Sequence, residues 1–314
     1  MSDTLAESGA SEAPVTMLPP RPDLSRWMMS AGFVLQPTRF LDACHERMGD
    51  YFTLRPAPGR VLVVTADPGA VKEVFTGDPA LLHAGEANIV LAPLLGQLSL
   101  LLLDGPEHMR QRRLMLPAFH GERMRNYSRA IEEAAQWHIA GWPRGRSFPV
   151  LSSMQAITLD VIMRAVFGVY DEPARERLAA PLRRQLDVLA NRLTVLMLML
   201  TRSGGGPGTR GPWARVAAAR READALIYEQ IRLRRADPEA AERTDVFSLL
   251  LAARDDGEPL SDEELRDELM TLLVAGHETT ATAMAWTLER IVRHPDVLER
   301  LTDDPSDDYL DAVI

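Results

Sequence analysis

LSDEELRDELMTLLVAGHETTATAMAWTLERIVRHPDVLERL, residues 260–301, reads as one long helix from its ends inward. Ser261 followed three positions later by Glu264 is a capping-box pattern, Asp262 and Glu263 suit the positive end of a helix, and Pro295 stops it. Leu265, Leu269, Leu272, Leu273, Met284, Leu288 and Ile291 supply a broad apolar face. The middle breaks this pattern. Gly276 weakens a helix interior by ~1 kcal/mol relative to alanine, and Thr279 and Thr280 carry hydroxyls that compete for backbone carbonyls. Glu278 places a charge between apolar neighbours.

Three readings of this block stand at this point. Glu278 faces solvent and the threonines pack quietly. Alternatively, His277-Glu278 opens the zinc motif H-E-x-x-H, but the second histidine would fall at 281, which is Ala281, so that reading fails. The third uses every odd residue. Gly276 lets a flat cofactor or a small gas approach the backbone, the Thr279 hydroxyl both accepts and donates, and Glu278 is a neighbouring proton source.

Outward from this helix, a mainly α chain with a small β-sheet is expected. PTRFLDACHERMGD (37–50) predicts a helix with Pro37 at its start and Gly49 past its end. YFTLRP (51–56) and RVLVVTAD (60–67) predict two strands joined by a turn at Pro58-Gly59. Asp67-Pro68 caps and opens a helix that Gly77 closes. From Arg110 onward the pattern is helical, over 122–140, 152–168, 173–200, 213–236 and 261–294. Residues 86–103 are apolar but too broken by Pro and Gly for a plain helix. SGGGPGTRGP (203–212) reads as a hinge, and its G-x-G-x-x-G is discounted because helices rather than a strand precede it.

The bulk composition is that of a globular protein, 46% hydrophobic and 25% charged, with a net charge of -10 that argues against nucleic-acid binding. One cysteine, Cys44, excludes an intrachain disulfide and a cysteine-rich metal site. Residues 1–17 read as a disordered arm without a signal peptide, and no apolar run reaches the ~18 residues needed to span a bilayer. A cytoplasmic protein without a membrane anchor is the expectation.

The block Ala275-Gly276-His277-Glu278-Thr279-Thr280 resembles the [A/G]-G-x-[D/E]-T-[T/S] signature of the cytochrome P-450 family, the haem-thiolate monooxygenases. DGPEHMRQRRLMLPAFH (104–120) is similar to the family's earlier helix that grips the haem propionates, with His108 and Arg112 on its two carboxylate-facing positions. Residues i and i+4 share a helix face, so both cations can bind anionic oxygens. Arg110 and Arg113 read instead as a solvated basic face, available to an acidic electron-transfer protein.

The resemblance implies the P-450 fold over 18–314, haem as cofactor, and a ferredoxin or flavoprotein reductase as partner. It implies Thr279 and Glu278 as catalytic residues, His108, Arg112, Ala275 and Gly276 at the haem, and Leu100, Leu101 and Thr280 at a lipophilic substrate. Residues 86–103 and 193–212 would line or gate the pocket. The family's axial cysteine lies in a glycine-bearing loop near the C-terminus, and no such loop occurs here, while Cys44 lacks its flanking residues. The chain ends at YLDAVI, about where the family's Glu-x-x-Arg helix begins, so an incomplete domain, inactive by itself, is expected. The competing class is a non-catalytic helical module that binds a lipid or a protein.

Overall fold

The computed structural model describes residues 18–57, 59–120, 123–200, 212–303 and 306–313. The expected arm 1–17, Pro58 of the predicted turn and most of the glycine-rich joint lie outside them. In chain order come α1 (Arg26–Leu35), α2 (Pro37–Met48), β1 (Tyr51–Leu54), β2 (Leu62–Thr65) and α3 (Pro68–Thr76). Then follow α4 (Ala84–Asn88), α5 (Ala92–Leu95), α6 (Gly105–Met115), α7 (Arg123–Ala140), α8 (Val150–Ala165), α9 (Glu172–Ala190) and α10 (Arg192–Leu200). The last are α11 (Pro212–Ala236), α12 (Val246–Ala252), β3 (Arg254–Asp255), β4 (Glu258–Pro259), α13 (Asp262–Arg293), α14 (Pro295–Asp303) and α15 (Asp307–Val313). The mainly α class with small sheets is as expected. The elements group into two compact units, split after Gly77 and around 191–206.

The smaller unit holds α1, α2, β1, β2, α3 and α10. Local chemistry sets its boundaries. Pro37 occupies the first turn of α2, and Gly49, at φ 83°, ends it in a conformation costly for a side chain. Asp67 accepts the Ala70 amide at 2.7 Å and so caps α3. The strands pair antiparallel, with Tyr51 opposite Thr65 and Leu54 opposite Leu62. Their inner face buries Phe52 and Leu54 against Cys44, Phe33 and Phe40. At Gly32 a Cβ would lie 2.5 Å from the Phe40 ring, so the contact between α1 and α2 needs glycine there.

The larger unit is built around α13, packed chiefly against α8. Leu265, Leu269, Leu273 and Ala281 are fully buried, one residue per helical turn, and the core continues through Ile162, Met163 and Leu182. The capping box forms as expected: Ser261 Oγ accepts the Glu264 amide at 3.1 Å while the Glu264 carboxylate accepts the Ser261 amide at 2.7 Å.

Three local features depart from the sequence reading. The helix expected over 173–200 breaks at Asn191, whose side-chain oxygen accepts the amides of Leu193 and Thr194 at 3.0 and 3.1 Å and starts α10 anew. A second hairpin, β3–β4, turns on Asp256 (φ 51°) and Gly257 (φ 87°), the Asp-Gly pair that two-residue turns favour. Helices α1 and α12 carry short apolar stripes that the longer periodicities overshadowed. Residues 86–103 form no plain helix, as expected: they hold the end of α4, then α5, and turn at Gly96, φ 97°.

Candidate functional site

On α13 the odd residues divide between two faces. His277 is buried, and its Nδ1 lies 2.9 Å from Thr158 Oγ1 on α8, a hydroxyl that also approaches the His277 carbonyl at 3.2 Å. Burial lowers the imidazole's pKa, against a smaller raising effect from Glu278. Glu278 leans to the same side, its carboxylate accepting the Gln155 amide of α8 at 3.0 and 3.2 Å. Gly276 also turns its open side to α8: a Cβ there would meet Ile162 Cδ1 at 3.4 Å, ordinary contact.

Ala275 and Thr279 are exposed. One helical turn apart, they share the face away from α8, and Thr279 Oγ1 donates to the Ala275 carbonyl at 2.5 Å. Thr280 is exposed too, and Trp286 remains 59% exposed. The block thus places a hydroxyl beside a carbonyl on an open helix face, with a histidine and a glutamate anchoring the other side. His277 was read from sequence only as half of a zinc motif. Its role in fastening α13 to α8 depends on Thr158, which no local pattern in the sequence reveals.

Helix α6 shows an equally clear division. Gln111, Leu114 and Met115 are buried, and Gln111 Nε2 donates to Glu264 at 2.8 Å. Arg110 reaches Glu264 at 2.6 Å, and Arg113 holds Asp255 at 3.2 Å. The expectation of a solvated basic face fits Arg113, which is exposed while it reaches Asp255 of β3, but not Arg110, which is half-buried and tied to Glu264 of α13. The side chains of His108, partly buried, and Arg112, exposed, make no hydrogen bond or ion pair among the described residues. Of the four basic side chains on α6, the two at i and i+4 are the ones left unengaged.

Leu100 is partly buried against the core and Leu101 is 38% exposed. The Leu100 amide donates to Glu268 Oε1 of α13 at 2.9 Å, so this segment lies along the helix that bears the block. Arg266, Asp267 and Glu268 of α13 belong to no motif read from the sequence. All three are buried, at 1%, 6% and 0% exposure. Three consecutive charges look like a solvated helix surface, and their partners lie far away in the chain. Cys44 sits at 4% exposure among Phe52 and Leu54, where burial pushes its thiol pKa up. Among the described residues no group of three or more His, Cys, Asp and Glu side chains could hold a metal ion.

The family model described as Cytochrome P450 matches residues 19–305. A protein of Mycobacterium tuberculosis named cytochrome P450 135B1 is 44% identical over 308 residues, covering 94% of this chain and 64% of that protein. Cytochrome P450 138 of the same species is 39% identical over 301 residues, with 95% and 66% coverage. Among solved structures, the retinoic acid-bound cyanobacterial CYP120A1 superposes with a TM-score of 0.75 at 21% identity, over 91% of this chain and 62% of that one. The cytochrome P450DA heme domain gives a TM-score of 0.70 at 27% identity, with 90% and 62% coverage. The chain thus spans 64–66% of the length of these two relatives.

Proposed function

Because the chain belongs to the cytochrome P450 family, we propose that it contributes the haem-propionate and oxygen-facing residues of a haem-thiolate monooxygenase acting on a lipophilic molecule. The observation that carries this reading is the selective freedom of His108 and Arg112 on a helix whose other cations are paired. Unpaired cations at i and i+4 fit the two carboxylates of a haem, each bond charge-assisted. The uncovered face at Ala275 and Thr279, where both side chains are small, suits a flat ring, while Gly276 opens toward α8 behind it.

A haem held through a thiolate supplies dioxygen activation. The chain's own groups do the rest. Thr279, its proton directed at the Ala275 carbonyl, keeps oxygen lone pairs for a water and can present a proton at Oγ1. Glu278, exposed and steadied by Gln155, takes protons from solvent and passes them toward that hydroxyl. Leu100 and Leu101 exclude water and receive an apolar substrate beside Thr280. Electrons come from a ferredoxin or flavoprotein reductase met in the cytoplasm. No helix among the described residues is long and apolar enough to cross a membrane.

Cys44, buried and protonated in its own apolar cluster, is not the axial ligand in this reading. The 314 residues alone would therefore lack the thiolate and the activity. Haem titrated into the chain tests both parts. Replacing His108 and Arg112 together by leucine is expected to weaken binding at least tenfold, each charge-assisted bond being worth ~1.5–3 kcal/mol. Equal affinity in the double variant would remove the propionate assignment. The reduced carbon monoxide complex should lack a thiolate-type band, and finding one would overturn the assignment of Cys44.

A further inference from the structure

Residues 92–101 form an apolar run, APLLGQLSLL, that makes an unusual number of polar contacts. Arg220 of α11 donates to the Ala92 and Pro93 carbonyls at 3.3 and 3.2 Å, and Gln185 of α9 to Leu94 at 3.3 Å. Helix α13 supplies the rest. Arg266 donates to the Leu95 carbonyl at 2.6 Å, Asp267 accepts the Leu98 amide at 2.9 Å, and Glu268 accepts the Leu100 amide at 2.9 Å. Ser99 and Thr271 hydroxyls meet at 2.6 Å. Gly96 sits so close to Asp267 that a Cβ would fall 1.9 Å from its carboxylate.

We propose that Arg266, Asp267 and Glu268 are positioning residues that lock 92–101 in one register on α13, making Leu100 and Leu101 a fixed wall beside Ala275 and Thr279. A leucine-rich run can pack in several registers of nearly equal apolar burial, whereas backbone bonds to fixed carboxylates admit one. Helical geometry puts the wall on the face of the site, ahead of Ala275 along the axis. Glu268, Ala275 and Thr279, seven and eleven residues apart, fall within about 20° of one face, and Thr271, which holds Ser99, precedes Ala275 by about 6 Å along the axis.

The three charges are not equivalent. Asp267 is held by Arg266 at 2.8 Å, and Arg266 also pairs with Asp224. Glu268 has no cation: its near charged neighbours are Asp267 and Glu264 on its own helix. Arg110 of α6 is spent on Glu264, and 92–101 carries no charged residue. Burial, with a smaller contribution from those two acids, raises its pKa to about 8. Glu268 is therefore a neutral acid at pH 7, its Oε1 accepting as an amide oxygen would, with Oε2 buried and unpartnered. Glutamine reproduces that acceptor; leucine keeps the volume and deletes it.

For its functional meaning the proposal rests on the monooxygenase reading, but its test needs no haem. Amide hydrogen exchange at pH 7, resolved to Leu98 and Leu100, is measured on the 314-residue protein and on Glu268→Gln and Glu268→Leu. The wild-type amides should be protected, and glutamine should keep them so. Leucine should speed Leu100 exchange by about tenfold, the worth of one net hydrogen bond, with the α13 amides unchanged. Thr271→Val, which removes the Ser99 bond at constant volume, should loosen 98–100 and serves if the leucine variant fails to fold. Unprotected wild-type amides, or glutamine behaving like leucine, would overturn the proposal. If the clasp behaves as expected while haem affinity ignores His108 and Arg112, the positioning role stands and its monooxygenase setting falls.

Discussion

From Leu265 to Leu273, α13 is enclosed on nearly every side and carries three buried ionisable side chains; from Ala275 to Trp286 it is enclosed on one side and open on the other. The same face runs through both halves. In the first half it is covered by 92–101, which meets Asp267, Glu268 and Thr271 with backbone amides and a serine. In the second it presents Ala275, Thr279 and Trp286 to solvent, while His277 and Glu278 hold to α8 behind. The difference teaches that a charged type in the sequence does not tell where a side chain works: Arg266, Asp267 and Glu268 of the first half hold the structure together, whereas the second half leaves the Thr279 hydroxyl and the Glu278 carboxylate at exposed positions.

The harshest way to break this contrast is Arg266→Met. It leaves Asp267 without its cation inside the core and takes one of two arginines from Asp224, which keeps Arg220, and urea unfolding should register a loss of about 3–5 kcal/mol. A loss below 1 kcal/mol would mean that Asp267 is solvated rather than a buried partner. Next comes Gly96→Ala, which forces a side chain into φ 97° and into Asp267. It should cost about 1–3 kcal/mol from backbone strain alone, and a wild-type midpoint would show that the turn can relax away from α13.

Titration sharpens the comparison, because each half holds a buried group with a shifted pKa and the two linkages are opposite. Glu268, raised from 4.5 to about 8, binds its proton more tightly when folded, so its stabilisation is complete at acid pH and is lost as pH rises toward 8. His277, lowered from 6.5, resists protonation when folded, so stability falls as pH drops below 6.5. Between pH 6.5 and 8 the slope from His277 fades and that from Glu268 reaches roughly 1.4 kcal/mol per pH unit at most. Unfolding free energies of Glu268→Gln across that window should be flat relative to wild type, and an unchanged slope would assign it elsewhere. The smallest effect belongs to the open face. Thr279→Ala loses one exposed hydroxyl bond and gains helix propensity, so stability should stay within about 0.5 kcal/mol. A larger drop in melting would give Thr279 a structural role its exposure denies.

Much of this was legible in the sequence where the signal is local. The capping box of Ser261 and Glu264, the Asp67 cap and the glycine after α2 depend on residues three or four apart, and each took the expected form. Other local signals were passed over: Asp256-Gly257 marks a hairpin, and Asn191 restarts a helix within a continuous leucine-rich pattern. The site was legible as a set of types and spacings, since His108 and Arg112, or Ala275 and Thr279, share a face by helical period alone.

What the sequence determined by itself is therefore the helical frame, its caps, and the candidate residues that repeat on one turn of it, because those follow from backbone geometry within a few positions. Only the tertiary structure decided which charges are engaged. Arg110 and Arg113 meet Glu264 and Asp255, Arg266 meets Asp224 and the Leu95 carbonyl, and Glu268 meets Leu100 across more than 160 intervening residues. The physical reason is the cost of burying a charge. That cost is offset in part within one helix, as where Arg266 holds Asp267, but the bonds from Arg266 to Asp224 and Leu95 and from Glu268 to Leu100 are supplied by other elements that no local window contains.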